Sequence, residues 1–219
     1  MKKAKRRPRF YFAFRSPYAW MTARLLEGRF PDAPDELDYI PFWEPDARTL
    51  ELLRERGGEM IYTAMSRAKH LYILQDVKRL AAKHGFALTW PVDVSPWWDL
   101  PHLAWLKARR LGRGREFFWA TYRARWERGA VIYERDVVRE LAREVGLDPE
   151  QIASAPEDPE IRNEGAQALL HAHEDGVFGV PFFNLGFDKF WGLDRFEDFA
   201  ARWKPAAAAT AESVGAHPA

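Results

Sequence analysis

The sequence predicts an α/β fold in which a small sheet is built from both ends of the chain and interrupted by a long helical insertion. Three observations carry this. An aromatic strand candidate, Phe10-Tyr11-Phe12-Ala13-Phe14, breaks at Ser16-Pro17 into a helix and is followed by a second strand candidate over 37–42. From 46 to 175 the apolar residues recur at helical rather than alternating spacing. After Gly176-Val177-Phe178-Gly179-Val180-Pro181 the chain turns aromatic and β-like again around Gly186.

Each element has a local reason. Pro17 suits the first turn of a helix because the missing N–H is an orphan there anyway, and Ser16 before it can cap that turn; Trp20, Met21, Ala23, Arg24 and Leu25 continue it to Gly28. A strand, helix and strand in succession imply a parallel pair. A helical pattern over 49–63 is broken by Gly57-Gly58, and a better helix from Ser66 to His84 is stopped by Gly85. In the latter, Leu71, Leu74, Val77, Leu80 and Ala81 form an apolar stripe. Helices are expected over 102–111, 116–128 and 134–145, one or two more over 152–175, and a closing helix over 193–203. A hairpin of 180–185 with 187–190 turns at Gly186. The segments 1–8 and 205–219 read as flexible tails, the second because its alanine-rich run has too few large apolar side chains to dock.

Composition narrows the classes. The 219 residues, 47% of them hydrophobic, suffice for one substantial core. With 33 basic and 32 acidic residues the net charge is +1, which supplies no global field for nucleic acid or an acidic membrane. The basic opening Lys2 to Arg7 reads as a solvated tail, no run approaches a membrane span, and the cytoplasm is the default location. There is no cysteine, so disulfide exchange by the chain's own side chains is excluded. No metal site presents itself: His171 and His173 point about 200° apart on a helix. The 10 Trp, 15 Phe and 7 Tyr serve either a core of large side chains or a pocket for a flat ligand.

Four motifs occur in order. They are Phe12-x-Phe14-x-Ser16-Pro17-Tyr18, then Lys69-x-x-Tyr72-x-x-x-Asp76-x-x-Arg79, then Gly176-Val177-x-Gly179-Val180-Pro181, and last Phe190-Trp191-Gly192-x-Asp194-Arg195. By helical periodicity, Lys69, Tyr72 and Asp76 share one face. Local readings stay open for each: Ser16 as an ordinary N-cap, the Lys69 face as a solvated charge pair, Asp194 as the cap of the closing helix. Over residues 9–204 the set resembles the 2-hydroxychromene-2-carboxylate isomerases and kappa-class glutathione transferases, a DsbA-type branch of the thioredoxin superfamily. Ser16-Pro17-Tyr18-Ala19 stands where a redox relative carries Cys-x-x-Cys.

That resemblance implies a thioredoxin-like core at 9–45 and 176–204, with 46–175 as the helical insertion lobe. It implies that Ser16 bonds the sulfur of glutathione or another low-molecular-weight thiol, and that a cis Val180–Pro181 bond presents Val180 to the thiol's backbone. Lys69 would then meet a carboxylate, and Asp194 and Arg195 the γ-glutamyl end. The implied function is thiol-dependent cis-trans isomerisation of a conjugated aromatic carboxylate by a homodimer. Tyr18, Trp97, Trp98 and Trp105 are the expected walls for the small aromatic substrate. A kappa-class-like transferase, or a non-catalytic binding protein of the same fold, remains open. Ala13, Leu193 and the segment 56–60 depart from the family's usual acid, polar residue and asparagine, which is why the thiol need not be glutathione.

Overall fold

Four short strands form one sheet in the order β2-β1-β3-β4. β1 (Arg9–Phe12) pairs in parallel with β2 (Asp38–Pro41) and antiparallel with β3 (Phe182–Leu185), which forms a hairpin with β4 (Asp188–Trp191) through Gly186 at φ +69°. The structure, a computed structural model, describes residues 6–61 and 66–205. The expected flexible tails, apart from 6–8 and Pro205, and the end of the helical pattern over 49–63 lie outside the described residues.

Between β1 and β2 run α1 (Pro17–Arg29) and a single turn, α2 (Ala33–Glu36), which the sequence pattern did not disclose. The insertion holds α3 (Ala47–Glu55), α4 (Arg67–Lys83), α5 (Asp99–Arg110), α6 (Gly114–Trp126), α7 (Arg135–Glu144), α8 (Pro149–Ala153) and α9 (Pro159–Glu174). After β4 a 3₁₀ turn, Leu193–Arg195, leads into α10 (Phe196–Trp203). Helix ends follow the expected chemistry: Ser66 caps α4, and Gly85, Gly146 and Gly176 end their helices at positive φ. α5 starts three residues earlier than expected, because Pro101 falls in the first turn, where its absent N–H costs nothing.

The sheet is held by aromatic rings. Phe183 stacks on Phe10 at 4.8 Å and on Phe199 at 4.0 Å, fastening β3 to β1 and to α10. Phe12 meets Trp105 and Phe118 edge-on at 5.0 and 4.9 Å, joining the sheet to α5 and α6. Most of the aromatic content is therefore core. The apolar stripe of α4 departs from expectation: Val77 and Ala81 are buried, but Leu71 is 52% and Leu74 39% exposed, because the face that packs on the core is made by Ile73, Val77, Leu80 and Ala81.

Candidate functional site

β1 ends at Phe12 and α1 starts at Pro17, so residues 13–16 form the connection. Ser16 is extended at φ −92°, ψ 114°; its N–H donates to the Ala13 carbonyl at 3.0 Å and its carbonyl accepts from Trp20 at 3.1 Å. The Ser16 Oγ accepts the Ala19 N–H at 3.2 Å, the N-cap bond expected from sequence, and directs its own proton at the Val180 carbonyl at 3.4 Å. Only that second bond reaches across the molecule. It is long, at the limit of a hydrogen bond.

The facing loop is built by the two glycine motifs. Gly176 turns the chain off α9, Val177 buries itself and donates to the Ala172 carbonyl at 2.8 Å, and the Val180–Pro181 peptide is cis. A Cβ on Gly179 would lie 2.9 Å from the Trp191 indole nitrogen, so the loop slides under Trp191 only with glycine there. Gly192 donates to the Pro181 carbonyl at 2.9 Å, tying the loop to the end of β4. The Phe190-Trp191-Gly192 motif thus backs the proline loop. Phe178 and Trp191 meet at 4.8 Å, both half exposed beside it.

Tyr18 donates to the Asp76 carboxylate at 2.8 Å, and Tyr72 and Arg79 reach the other oxygen of the same group at 3.4 and 3.1 Å. Burial, and next the bond to Asp76, push the Tyr18 phenol well above its ordinary range, so it stays a neutral donor. The lysine motif of α4 therefore docks on the first turn of α1 through Asp76. Lys69 stands two turns further toward the start of the same helix, exposed. Asp194 and Arg195 pair with each other at 3.3 Å, both exposed; Asp194 folds its carboxylate over Gly192 and does not cap α10, which starts two residues later.

The three tryptophans assigned to substrate walls have other surroundings. Trp105 is corrected to a core residue: it is 3% exposed, packs on Phe12, and gives its indole N–H to the Gly114 carbonyl at 2.9 Å. Trp98 is also buried, with the Arg15 and Arg125 guanidinium groups 6.0 and 5.2 Å from its ring. Trp97 donates to Asp46 at 3.2 Å. Asp46 in turn caps α3 and meets Arg162 of α9 at 2.8 Å. Burial works against the Asp46 charge, but the bonds from Thr49, Arg162 and Trp97 together hold its pKa below the usual carboxylate range. Its neighbour Asp99, fully buried, is pushed up to about 6 by desolvation, against the bond from Thr49.

Sequence reasoning missed three residues that touch the connection from the lobe. His102 Nε2 accepts the Phe14 N–H at 3.2 Å, Tyr122 donates to the Ala13 carbonyl at 3.2 Å, and Trp126 donates to the Phe14 carbonyl at 2.9 Å. No local pattern marks them, since each reaches its partner only across the packed lobe. Among the described residues no group of three or more His, Asp or Glu is placed to hold a metal, and no helix is long and apolar enough to cross a membrane.

Comparison with known proteins agrees with this layout. The family described as the DSBA-like thioredoxin domain matches residues 9–204. The 2-hydroxychromene-2-carboxylate isomerase of Sphingobium xenophagum is 28% identical over 194 residues, covering 86% of this chain and 93% of that protein. Among solved structures, a 2-hydroxychromene-2-carboxylate isomerase superposes with a TM-score of 0.71 at 19% identity, covering 94% of this chain and 98% of the other. A cytosolic disulfide reductase, DsbM of Pseudomonas aeruginosa, solved with GSH, superposes at 0.58 with 18% identity and 94% and 97% coverage. At these identities the structures speak to the fold.

Proposed function

Because the chain belongs to the DSBA-like thioredoxin domain family and places a serine at the start of α1, we propose that it is a thiol-dependent cis-trans isomerase of a conjugated aromatic carboxylate, using glutathione or a similar small thiol. The observation that carries the reading is the Ser16 hydroxyl, held as an N-cap and aimed at the Val180 carbonyl of a cis-proline loop in a protein without cysteine. Homology to an isomerase supports enzyme status in general.

The residues present fit a thiol. One Ser16 lone pair is taken by Ala19, which fixes the oxygen, while its proton is spent on a bond so long that a better acceptor would win it. A thiolate is such an acceptor, and the N-terminus of α1 adds positive potential at the same point. Val180 would meet the thiol's backbone, Lys69 a carboxylate, and Asp194 with Arg195 the far end of the tripeptide. When bound, the thiol supplies a nucleophile that adds reversibly to a conjugated double bond, so that rotation can occur before it leaves. Ser16 holds the charged form in place and the loop orients it, so the gain lies in ionisation and positioning. Tyr18, neutral and tied to Asp76, would border the substrate.

The test is calorimetric titration with glutathione and other cellular thiols, followed by product analysis with 2-hydroxychromene-2-carboxylate as probe substrate. Isomerised product with the thiol regenerated is the expected result; a thioether product points instead to a transferase, and no binding of any thiol sinks the reading. The assembly we propose is a homodimer, for which the exposed Leu71, Tyr72 and Leu74 of α4 provide apolar surface. Light scattering that shows only monomer at working concentration overturns it.

A further inference from the structure

We infer that His102 is a positioning residue for the proposed Ser16 chemistry: by accepting the Phe14 N–H it fixes the turn that aims the serine hydroxyl. The assignment rests on the reading of Ser16 given above. Of the four residues joining β1 to α1, Ala13 and Phe14 present three backbone polar groups to the lobe, and each is gripped by a different side chain. Tyr122 and Trp126 of α6 are donors and take the two carbonyls. The Phe14 N–H needs an acceptor, and His102 of α5 provides it.

The ring is held so that little else is open to it. Its Nδ1–H donates to the Trp98 carbonyl at 2.6 Å, one turn back along the chain, which leaves the Nε2 lone pair as its remaining function. Trp43 stacks on one side, parallel within 5° at 5.0 Å, and the Phe14 ring lies against it at 5.1 Å. The imidazole is fully buried. Any apolar residue could fill this space, but it would leave the buried Phe14 amide unpaired and remove the lobe's hold on the N–H side of the Ala13–Phe14 peptide. Two residues later the Ser16 Oγ sits 3.4 Å from Val180, where a small rotation of the turn makes or breaks its reach.

Two near-isosteric variants separate the two ring nitrogens. His102→Gln keeps an acceptor near the Nε2 position; His102→Asn keeps a donor near Nδ1 and loses the contact to Phe14. Amide hydrogen exchange at Phe14, the ionisation of bound glutathione read by thiolate absorbance, and turnover of 2-hydroxychromene-2-carboxylate are measured on the full chain, with melting temperature as the fold control. In His102→Asn we expect Phe14 exchange to accelerate at least about tenfold, the bound thiol to ionise at higher pH, and kcat to fall roughly tenfold to a hundredfold with KM little changed. His102→Gln should recover most of all three. Equal impairment in both variants, or faster Phe14 exchange with unchanged thiol ionisation and kcat, overturns the assignment and leaves His102 a packing residue. Should neither variant fold, Tyr122→Phe loosens the same turn by deleting one hydroxyl; a smaller shift of thiol ionisation in the same direction supports the inference, and no shift overturns it. The wild type and Ser16→Ala report separately on the underlying reading: if the wild type ionises no bound thiol, or Ser16→Ala leaves it unchanged, the Ser16 chemistry itself falls and this role with it.

Discussion

α1 and α4 begin alike and end up in opposite circumstances. Each is preceded by an extended serine whose Oγ accepts the N–H three residues on, at 3.2 Å from Ala19 in α1 and at 3.3 Å from Lys69 in α4. Their local chemistry is the same. Yet α1 buries seven residues and α4 two, and among the described residues only the serine of α1 has a carbonyl of another segment in reach. A helix cap becomes a candidate active-site group by what stands opposite it and by how firmly its approach is held, neither of which belongs to the cap itself.

The largest expected difference lies in that approach. Burial pushes His102 down to about 3 from an ordinary 6.5. Between those values the unfolded chain binds a proton that the folded chain refuses, so stability present above pH 6.5 is lost as pH falls toward 3. The loss from this group is on the order of 1 kcal/mol per pH unit. Urea denaturation across that range should show a steeper acid loss in wild type than in His102→Gln; parallel curves would remove the effect.

Next comes the pair of caps. Ser16→Ala and Ser66→Ala should each destabilise by about 1 kcal/mol, since both delete one N-cap bond. Only Ser16→Ala should also slow turnover, by roughly tenfold to 150-fold if a charge-assisted bond worth about 1.5–3 kcal/mol is lost in the transition state. Its pH–rate profile should move upward as the bound thiol becomes harder to ionise. Kinetics of the two variants side by side decide it: an equal loss in both would reduce the difference between the serines to folding.

A smaller effect tests the seam between the helices. Tyr18→Phe removes the bond to Asp76 but leaves that carboxylate with Arg79 and Tyr72, so thermal melts should show a cost of about 1 kcal/mol. The smallest belongs to Lys69→Ala. An exposed ammonium is worth under about 1 kcal/mol, so the thiol or the acidic substrate should bind a few-fold more weakly with kcat unchanged. A fall in kcat alone would move Lys69 from binding into the chemistry.

Much of the frame was legible in the chain. Pro17 after Ser16, Gly85 after α4 and Gly186 in the hairpin act within a few residues, and the structure uses each as expected. The site was legible only in part. Ser16 and Val180 face each other, and the helical motif does meet the start of α1, but through Asp76 and Tyr18, a bond that periodicity could not show. The expectation for Trp105 went astray because a tryptophan count does not say which rings the packing of α5 against β1 will cover.

What the sequence determined by itself was therefore the set of local events and the chemical inventory: where helices start and stop, which strands are aromatic, and that no thiol belongs to the chain. Only the tertiary structure decided that one capping serine meets a proline-loop carbonyl, that His102 holds the Phe14 amide, and that Trp98 and Trp105 are core. The physical reason is range. Caps, turns and helical stripes are settled by bonds spanning a few residues, whereas the approach of residues far apart in the chain is settled by how the apolar faces of the lobe and sheet close on each other, which no short window of sequence contains.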